Sequence, residues 1–544
     1  MIKSSFFLLL FLASPVGFAQ MPVGTSSDQG SVQGVVVSTT GETLEKATVS
    51  LCEVRTLEGC SEVTTDRAGQ FAFSQIPGGR YHLAASRVGY VDQHSDWNTL
   101  NASGAVVDLT HGEAVDNVSI RMTPAAVISG YVNDEDRRPM VGVMVAELHY
   151  GYVTSGRQLQ VGAVTSTNDR GEFRLWGLGP GAHYVLAEYV PPPETRIRNA
   201  VGYRPTFYPG VLELAGATPI QLRAGEETNG IVIELASYHT VRVRGRVSPD
   251  DPAVKVFLVP RDTPAVRSLV QPLSTRLRQG EFEFSSVVPG SYYLYARTDW
   301  GDWAASKLLG VADIDLENCD LSLRKIDAVA GTLDLDLSTL KTLNPDFLRR
   351  LQSQGPILEV SLSPRAALPG PGHSLFAWVS IPGRFSLTGI DPGVYVIDVN
   401  GLPENCFLDS ASNGRIELPG RIWKSDVYGS PGPLYLRVSC GAATVEGVVN
   451  KDQQPYSGAA VTLVPARSRG PQTVFKATMS DQNGHYVIDG IPTGSYTVFA
   501  WEKLDSSLST LMDLLYSNQE SRGFDLAPNA HKTVDLDLIR SKEP

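Results

Sequence analysis

Three groups of residues are of the types, and at the spacings, that could do chemistry. In "SDQNGHYVIDGIPTGSYTVFAWE" (480–502), Asp481, Asn483 and Gly484 are set like hard-metal ligands around a turn, which would suit calcium. In "RTDWGDW", Trp300 and Trp303 stand among Asp299 and Asp302, and Trp97 closes "GYVDQHSDWN". Aromatic faces beside planar polar groups suit a carbohydrate, whose rings have apolar faces and hydroxyl edges. The favoured reading of the same residues is packing against a loop or a neighbouring domain, since Trp is highly buried on average. The third group is the five cysteines. Cys52 and Cys60 lie symmetrically about Thr56, as facing positions of one hairpin would; Cys406 and Cys440 are the next pair, and Cys319 is the odd one.

Patterns for catalysis are missing from the sequence. None of the nine His begins H-x-x-E or H-E-x-x-H, the spacings that set zinc ligands on one helix face or beside a turn. There is no G-x-S-x-G, no phosphate loop and no papain-like Cys–His setting. No catalytic, cofactor-binding or metal-ligating residue is therefore assigned, and no cofactor is expected. A net charge of −12 argues against nucleic acid as a partner.

What positions these residues is a repeat, and repeats are sought before anything else. The opening stretch has four relatives, and the first aromatic of each serves as origin: Phe71, Phe173, Phe282, Phe385 and Tyr486. Two positions earlier stand Gly69, Gly171, Gly280, Gly383 and Gly484; eight later, Gly79, Gly181, Gly290, Gly393 and Gly494; ten later, Tyr81, His183, Tyr292, Tyr395 and Tyr496. Apolar residues alternate with polar ones on both sides of a Pro-Gly turn, which reads as two strands of a meander. Upstream, V-x-G-x-V opens each copy, as in Val32-Gly34-Val36 and Val445-Gly447-Val449; a strand such as "NVSIRM" or "TVDLDLI" closes it. Starts about a hundred residues apart suit compact sandwiches.

The repeat also weighs against calcium. Three residues before the first Gly lie Asp66, Asn168, Leu277, Ser380 and Asp481, and Asp, Asn and Ser are favoured at the first position of a type I turn with Gly fourth. An EF-hand loop would place Gly sixth. His183 fills a Tyr slot, so packing is its expected role.

The chain opens "MIKSSFFLLLFLASPVGFAQ", which reads as a secretory signal peptide cleaved after Ala19. No Cys follows the site, so no lipid anchor is expected, and no later apolar run is long enough to span a bilayer. The expected organisation is a signal peptide (1–19), a linker (20–30) and β-sandwiches at 31–123, 124–238, 239–325, 326–441 and 442–544. "TPAA" (123–126) and "ASYH" (236–239) read as short linkers that hold neighbours semi-rigidly. Five such domains in line would span on the order of 170 Å. Only "NPDFLRRLQ", with Asn344 as N-cap and Pro345 at the first helical position, and "SSLSTLMDLLY" read as helices.

The composite pattern V-x-G-x-V … G-A-x-V … D-x-x-G-x-F … P-G-x-Y-x-L resembles the carboxypeptidase regulatory-like domain. "EKATVSL" (45–51) and "SGAAVTLVP" (457–465) match its second strand, and "YRPTFYPGVLELAGATPIQLRAGEETNGIVIEL" resembles the loop and last strand of tandem copies in exported bacterial proteins. The resemblance runs over 31–541; the third and fourth copies depart at the turn, with Leu277 and Ser380. It implies an all-β chain of five tandem Greek-key sandwiches with a prealbumin-like fold, related to starch-binding-like and collagen-adhesin modules. In carboxypeptidases this domain is an accessory to the catalytic one. Collagen-adhesin relatives carry isopeptide bonds from a first-strand Lys, which none of these five first strands contains.

The expectation is therefore a non-catalytic exported scaffold or interaction protein of the cell envelope, periplasmic, outer-membrane-associated or extracellular. Its partner would be an envelope protein or a polysaccharide. The alternative is a carbohydrate-binding protein using the Trp97, Asp299, Trp300, Asp302 and Trp303 loops. A third class, the plug extension of a TonB-dependent receptor, would need a barrel downstream of Pro544.

Overall fold

The computed structural model describes residues 29–53, 60–93, 105–109, 113–153, 156–189, 201–261, 273–299, 303–326, 328–353, 357–364, 375–380, 383–390, 393–403, 405–425, 432–466, 476–501 and 522–539. The signal peptide, Trp97, Trp300, Asp302 and "SSLSTLMDLLY" lie outside them. Among the described residues the chain is all-β, with five tandem Greek-key sandwiches and two α-helices. None of its helices is long and apolar enough to cross a membrane.

Each sandwich begins with its V-x-G-x-V strand. In the first, Gln29–Ser38 pairs antiparallel with the aromatic-bearing strand Gln70–Pro77 and parallel with the closing strand Ala114–Met122. The same antiparallel and parallel partners flank the opening strand in the other four. The register explains the glycine: Gly34, Gly130, Gly245, Gly331 and Gly447 face Phe71, Phe173, Phe282, Phe385 and Tyr486 directly. A Cβ on Gly331 would lie 2.0 Å from the Phe385 ring, and one on Gly130 1.8 Å from the carbonyl oxygen of Ile231. A side chain at this glycine would collide with the aromatic ring of the facing strand or with the backbone of the closing strand.

The second sheet is built on the Tyr strand. Gly79–Ser86 pairs with Thr48–Glu53, and its counterparts pair alike, so the Tyr slot seals one end of each apolar core. The hydroxyls of Tyr81, Tyr292 and Tyr496 donate to the carbonyls of Pro77, Val288 and Pro492, four residues back, at 2.9, 2.7 and 2.9 Å. Each sandwich encloses one apolar core of its own. Both expected disulfides are present: Cys52–Cys60 beside a hairpin, and Cys406–Cys440 across paired strands, with Cys319 buried as a free thiol.

The helical segment differs from expectation. Pro345–Ser353 is a helix, but Asn344 does not cap it with its side chain, which donates to Asn405 Oδ1 at 2.8 Å. A second helix, Leu337–Leu343, precedes it, capped by Asp336, whose Oδ1 accepts from the amides of Ser338 and Thr339. "LDLDLST" alternates like a strand and hides that helix; the cap decides.

The junctions are hydrogen-bonded rather than slack. At the first, the amides of Val91 and Ala125 donate to the carbonyls of Thr123 and Gly89, both at 2.9 Å. At the second, within "ASYH", Ser237–His239 is a strand paired with Val201–Tyr203. Nor do the five sandwiches run out in line. The turn of the opening motif in the fifth meets an edge strand of the first: Val106 bridges Asp481, and Gln482 exchanges hydrogen bonds with the Asp108 backbone at 3.2 and 3.3 Å. Arg80 reaches Thr478 alongside, at 3.4 Å. The array folds back so that its first and fifth members touch.

Candidate functional site

The repeated turns carry local hydrogen bonding. Oδ1 of Asp481 accepts from the amides of Asn483 and His485 at 2.8 and 2.9 Å, and Asp66 and Asn168 act alike. This is an Asx turn, and the following Gly takes the positive φ it needs: +75° at Gly69 and +74° at Gly484. The third copy turns differently, through Gln279 and Gly280 both at positive φ, as a two-residue hairpin loop requires.

Of the loop residues nominated for sugar binding, the described ones are engaged locally. Asp299 is ion-paired with Lys255 at 2.8 Å and stands near Arg276 at 3.8 Å; the Lys255 hydrogen bond holds its carboxyl below the usual range. Trp303 opens the strand Trp303–Val311, half-buried and packed against the third core. In "PTFYPG", Phe207 is buried in a small cluster with Leu148 and Leu186, on the outer side of the second sandwich.

Two constellations escape the sequence. The first is in the second sandwich, on the paired strands Met144–Val153 and Gly181–Glu188. Glu147 and His149 are two apart, so they share one face, and His183 stands directly opposite His149. Glu147 Oε1 lies 3.0 Å from Nδ1 of His149 and 2.6 Å from Nδ1 of His183. Nε2 of His183 meets the carbonyl of Gly179 at 2.9 Å. His183 thus does more than pack: it reproduces the hydrogen bond of the Tyr hydroxyls with one nitrogen and engages a carboxylate with the other. Glu147 and His183 are buried, while the His149 side chain is 30% exposed. Burial opposes charge on Glu147, but the hydrogen bonds from His149 and His183 outweigh it and hold the carboxyl below its ordinary range. Room for it comes from a bulge in the neighbouring strand Gly156–Ser166, where a Cβ on Gly162 would lie 1.9 Å from Oε2 of Glu147.

The second constellation is the outer face of the sheet in the fourth sandwich. Phe376 and Trp378 alternate with buried Ala377 on the edge strand Leu375–Trp378 and are 63% and 52% exposed. Opposite them lie Ser361 and Glu359, then Asp398 and Asn400. Asn400 donates to Glu359 at 2.9 Å and Arg421 to Asp398 at 2.9 Å, so planar polar groups are held beside two aromatic rings. The signal for both constellations is positional: aligning second strands copy by copy places Glu147 in a leucine slot, and "LFAW" alternates outward-facing aromatics.

Among known proteins, the carboxypeptidase regulatory-like domain family matches residues 31–123. No curated protein matches the chain. Among solved structures, the Streptococcal ancillary pilin is 12% identical, with 55% of this chain and 99% of that one covered, at a TM-score of 0.21. GBS52, the minor pilin of Streptococcus agalactiae, is 16% identical over 39% of this chain and 98% of that one, at 0.23. The Bacillus anthracis TIE protein is 11% identical over 55% of this chain, at 0.17, and the chain spans about half of its length, 51%. Likeness at these scores carries no statement about function. The strand order and the repeated signature agree with the match: the chain is a tandem array of all-β sandwiches whose first member, residues 31–123, is similar to the carboxypeptidase regulatory-like domain.

Proposed function

We propose that the chain is a non-catalytic, exported scaffold protein of the cell envelope, whose sandwiches present their outer faces from a closed frame. The observation that carries it is the contact of the fifth sandwich with the first, through Asp481, Gln482 and Thr478 on one side and Arg80, Val106 and Asp108 on the other. With bonded junctions between neighbours, that contact fixes relative positions, which is what a scaffold needs. Two disulfides favour an oxidising compartment. Small-angle scattering tests the frame: closed, it measures roughly 100 Å at most, against on the order of 170 Å for five sandwiches in line. A maximum dimension near the larger figure sinks the closed scaffold.

A second reading, polysaccharide binding, is favoured by the exposed Phe376 and Trp378 beside Glu359, Asp398 and Asn400. Stacking on sugar faces and hydrogen bonding to hydroxyl edges are what such a surface offers. The loop of Asp299, Trp300, Asp302 and Trp303, with Trp97, is the other place such a ligand would be sought. Affinity electrophoresis in polysaccharide gels discriminates: retardation abolished by Phe376→Ala plus Trp378→Ala assigns the sheet face, and retardation abolished by Trp300→Ala plus Trp303→Ala assigns the loop. Unretarded migration in every gel removes this reading and leaves the scaffold standing.

A further inference from the structure

We propose that Glu147, His149 and His183 form a binding site for a divalent transition-metal ion of the zinc class, built into the second sandwich alone.

Comparison of the five copies carries the inference. The residue two beyond the Tyr slot pairs with Leu51, Leu258, Leu362 and Leu463 in the other four copies, and with Glu147 here. Those four leucines are buried in their cores. The Tyr slot itself holds His183, and the residue facing it is His149, where the other copies have Glu53, Pro260, Pro364 and Pro465. Three neighbouring positions have therefore all taken metal-ligand types in one copy and at one end of one core. A buried carboxylate costs several kcal/mol unless it is compensated. Packing alone gives no reason to exchange a leucine for it.

The geometry is that of a ligand set. The three donor atoms lie within 4.8 Å of one another. Around zinc, with ligand bonds of about 2.0–2.2 Å, tetrahedral donors stand roughly 3.3–3.5 Å apart. Moving Nδ1 of His183 and Oε1 of Glu147 apart from 2.6 Å by a small side-chain rotation meets that spacing. Both nitrogens of His183 face oxygen acceptors, the carboxylate and the Gly179 carbonyl. With Nε2 on the Gly179 carbonyl, Nδ1 is left on the carboxylate side, where a cation shared with Glu147 would sit. The carbonyl on Nε2 then does what an outer-shell partner does for a metal-bound imidazole, fixing the tautomer and the ring. Two imidazoles and one carboxylate suit zinc, copper or nickel; a single oxygen ligand is too few for calcium, which takes six to eight. Exposure at His149 leaves one side open for ion entry and for a fourth ligand from solvent.

The test uses the untagged full chain, stripped with chelator and titrated with zinc chloride in a calorimeter, with cobalt(II) as a spectroscopic probe. The expected result is uptake of one equivalent, ligand-field bands of four- or five-coordinate cobalt, and an upward thermal shift. His149→Ala removes a partly exposed ligand without opening the core, and should weaken binding by about a hundredfold or more. Glu147→Leu plus His183→Tyr restores the residues of the other copies; it should fold, keep its other sandwiches unchanged and lose the ion. Absence of zinc uptake by the unmodified chain overturns the site. So does equal affinity in either variant, which would place the ion elsewhere.

Discussion

The second sandwich and its four siblings share a strand order, a turn and a core, yet differ at one corner. In the siblings a Tyr, or Tyr with a Pro opposite, closes the end of the core over a buried leucine; in the second a His–Glu–His cluster does so. The hydrogen bond from the Tyr slot to the carbonyl four residues back survives the exchange, made by Nε2 of His183. The difference teaches that this corner is specified by one hydrogen bond and by shape. Its interior can be apolar or ionic, provided that the ionic version arrives complete.

Completeness is what the largest expected effect breaks. Glutamate placed in a sibling's leucine slot, Leu258→Glu, would stand fully buried with Tyr292 and Pro260 in place of the two histidines. Losing a core leucine and burying an unpartnered carboxyl should cost about 3–5 kcal/mol. Hydrogen exchange read by mass spectrometry should show lost protection across 241–325, with the second sandwich unaffected. Unchanged protection there would mean that the corner tolerates a lone carboxylate.

A second contrast lies within one strand pair. Glu147 has two imidazole partners, whereas Glu188, at the far end of Gly181–Glu188, is buried with Oε2 lacking any hydrogen bond, and burial pushes its carboxyl up to about 8. The native state therefore holds a proton that the unfolded chain releases near 4.5. Its contribution is fully present below about 4.5 and is lost as pH rises to about 8, roughly 4–5 kcal/mol. The second sandwich should melt lower at pH 8 than at pH 5, and Glu188→Gln should flatten that slope. A slope unchanged by the substitution would assign the pH dependence to other groups.

The glycine under the aromatic separates position from composition. Gly130→Ala would drive a methyl group into the Ile231 carbonyl and should cost about 2–3 kcal/mol, whereas a Cβ on Gly41 meets nothing within 4 Å. Thermal melts of the two variants side by side check this. Gly41 has φ +91°, so its alanine variant should carry only the smaller cost of backbone strain.

The unequal legibility of these features has a physical origin. The aromatic, Gly and Tyr spacings are local, set by two strands and the turn between them, so they stand in the sequence at fixed distances. The parallel pairing of Gln29–Ser38 with Ala114–Met122 joins segments separated by variable loops, and no short spacing records it. Glu147 and His149 were hidden because polar residues in an alternating strand read as solvent-facing. Here they share the inward face with Val143 and Val145, and the face carrying Ala146 and Leu148 is covered as well, by Phe207 and its neighbours. Register, not residue type, decides which side is core. The fold-back onto the first sandwich was hidden for a related reason. Gln482 is an ordinary turn residue until the Asp108 backbone is brought beside it.

The smallest effect tests whether the corner bond is what the copies hold in common. Tyr496→Phe removes the hydroxyl that donates to Pro492 and leaves the ring in place. Burial pushes that hydroxyl's pKa up to about 12, so it remains a neutral donor throughout the accessible range. One neutral hydrogen bond of this kind contributes about 1 kcal/mol, and the change should be the same at pH 5 and pH 8. His183→Phe deletes the corresponding bond and also takes the shorter of two imidazole contacts from the buried Glu147, leaving only His149, so its cost should exceed that of Tyr496→Phe severalfold. Equal costs, read from melts of the two variants, would mean that Glu147 does not depend on His183, and the parallel between the two corners would end at shape.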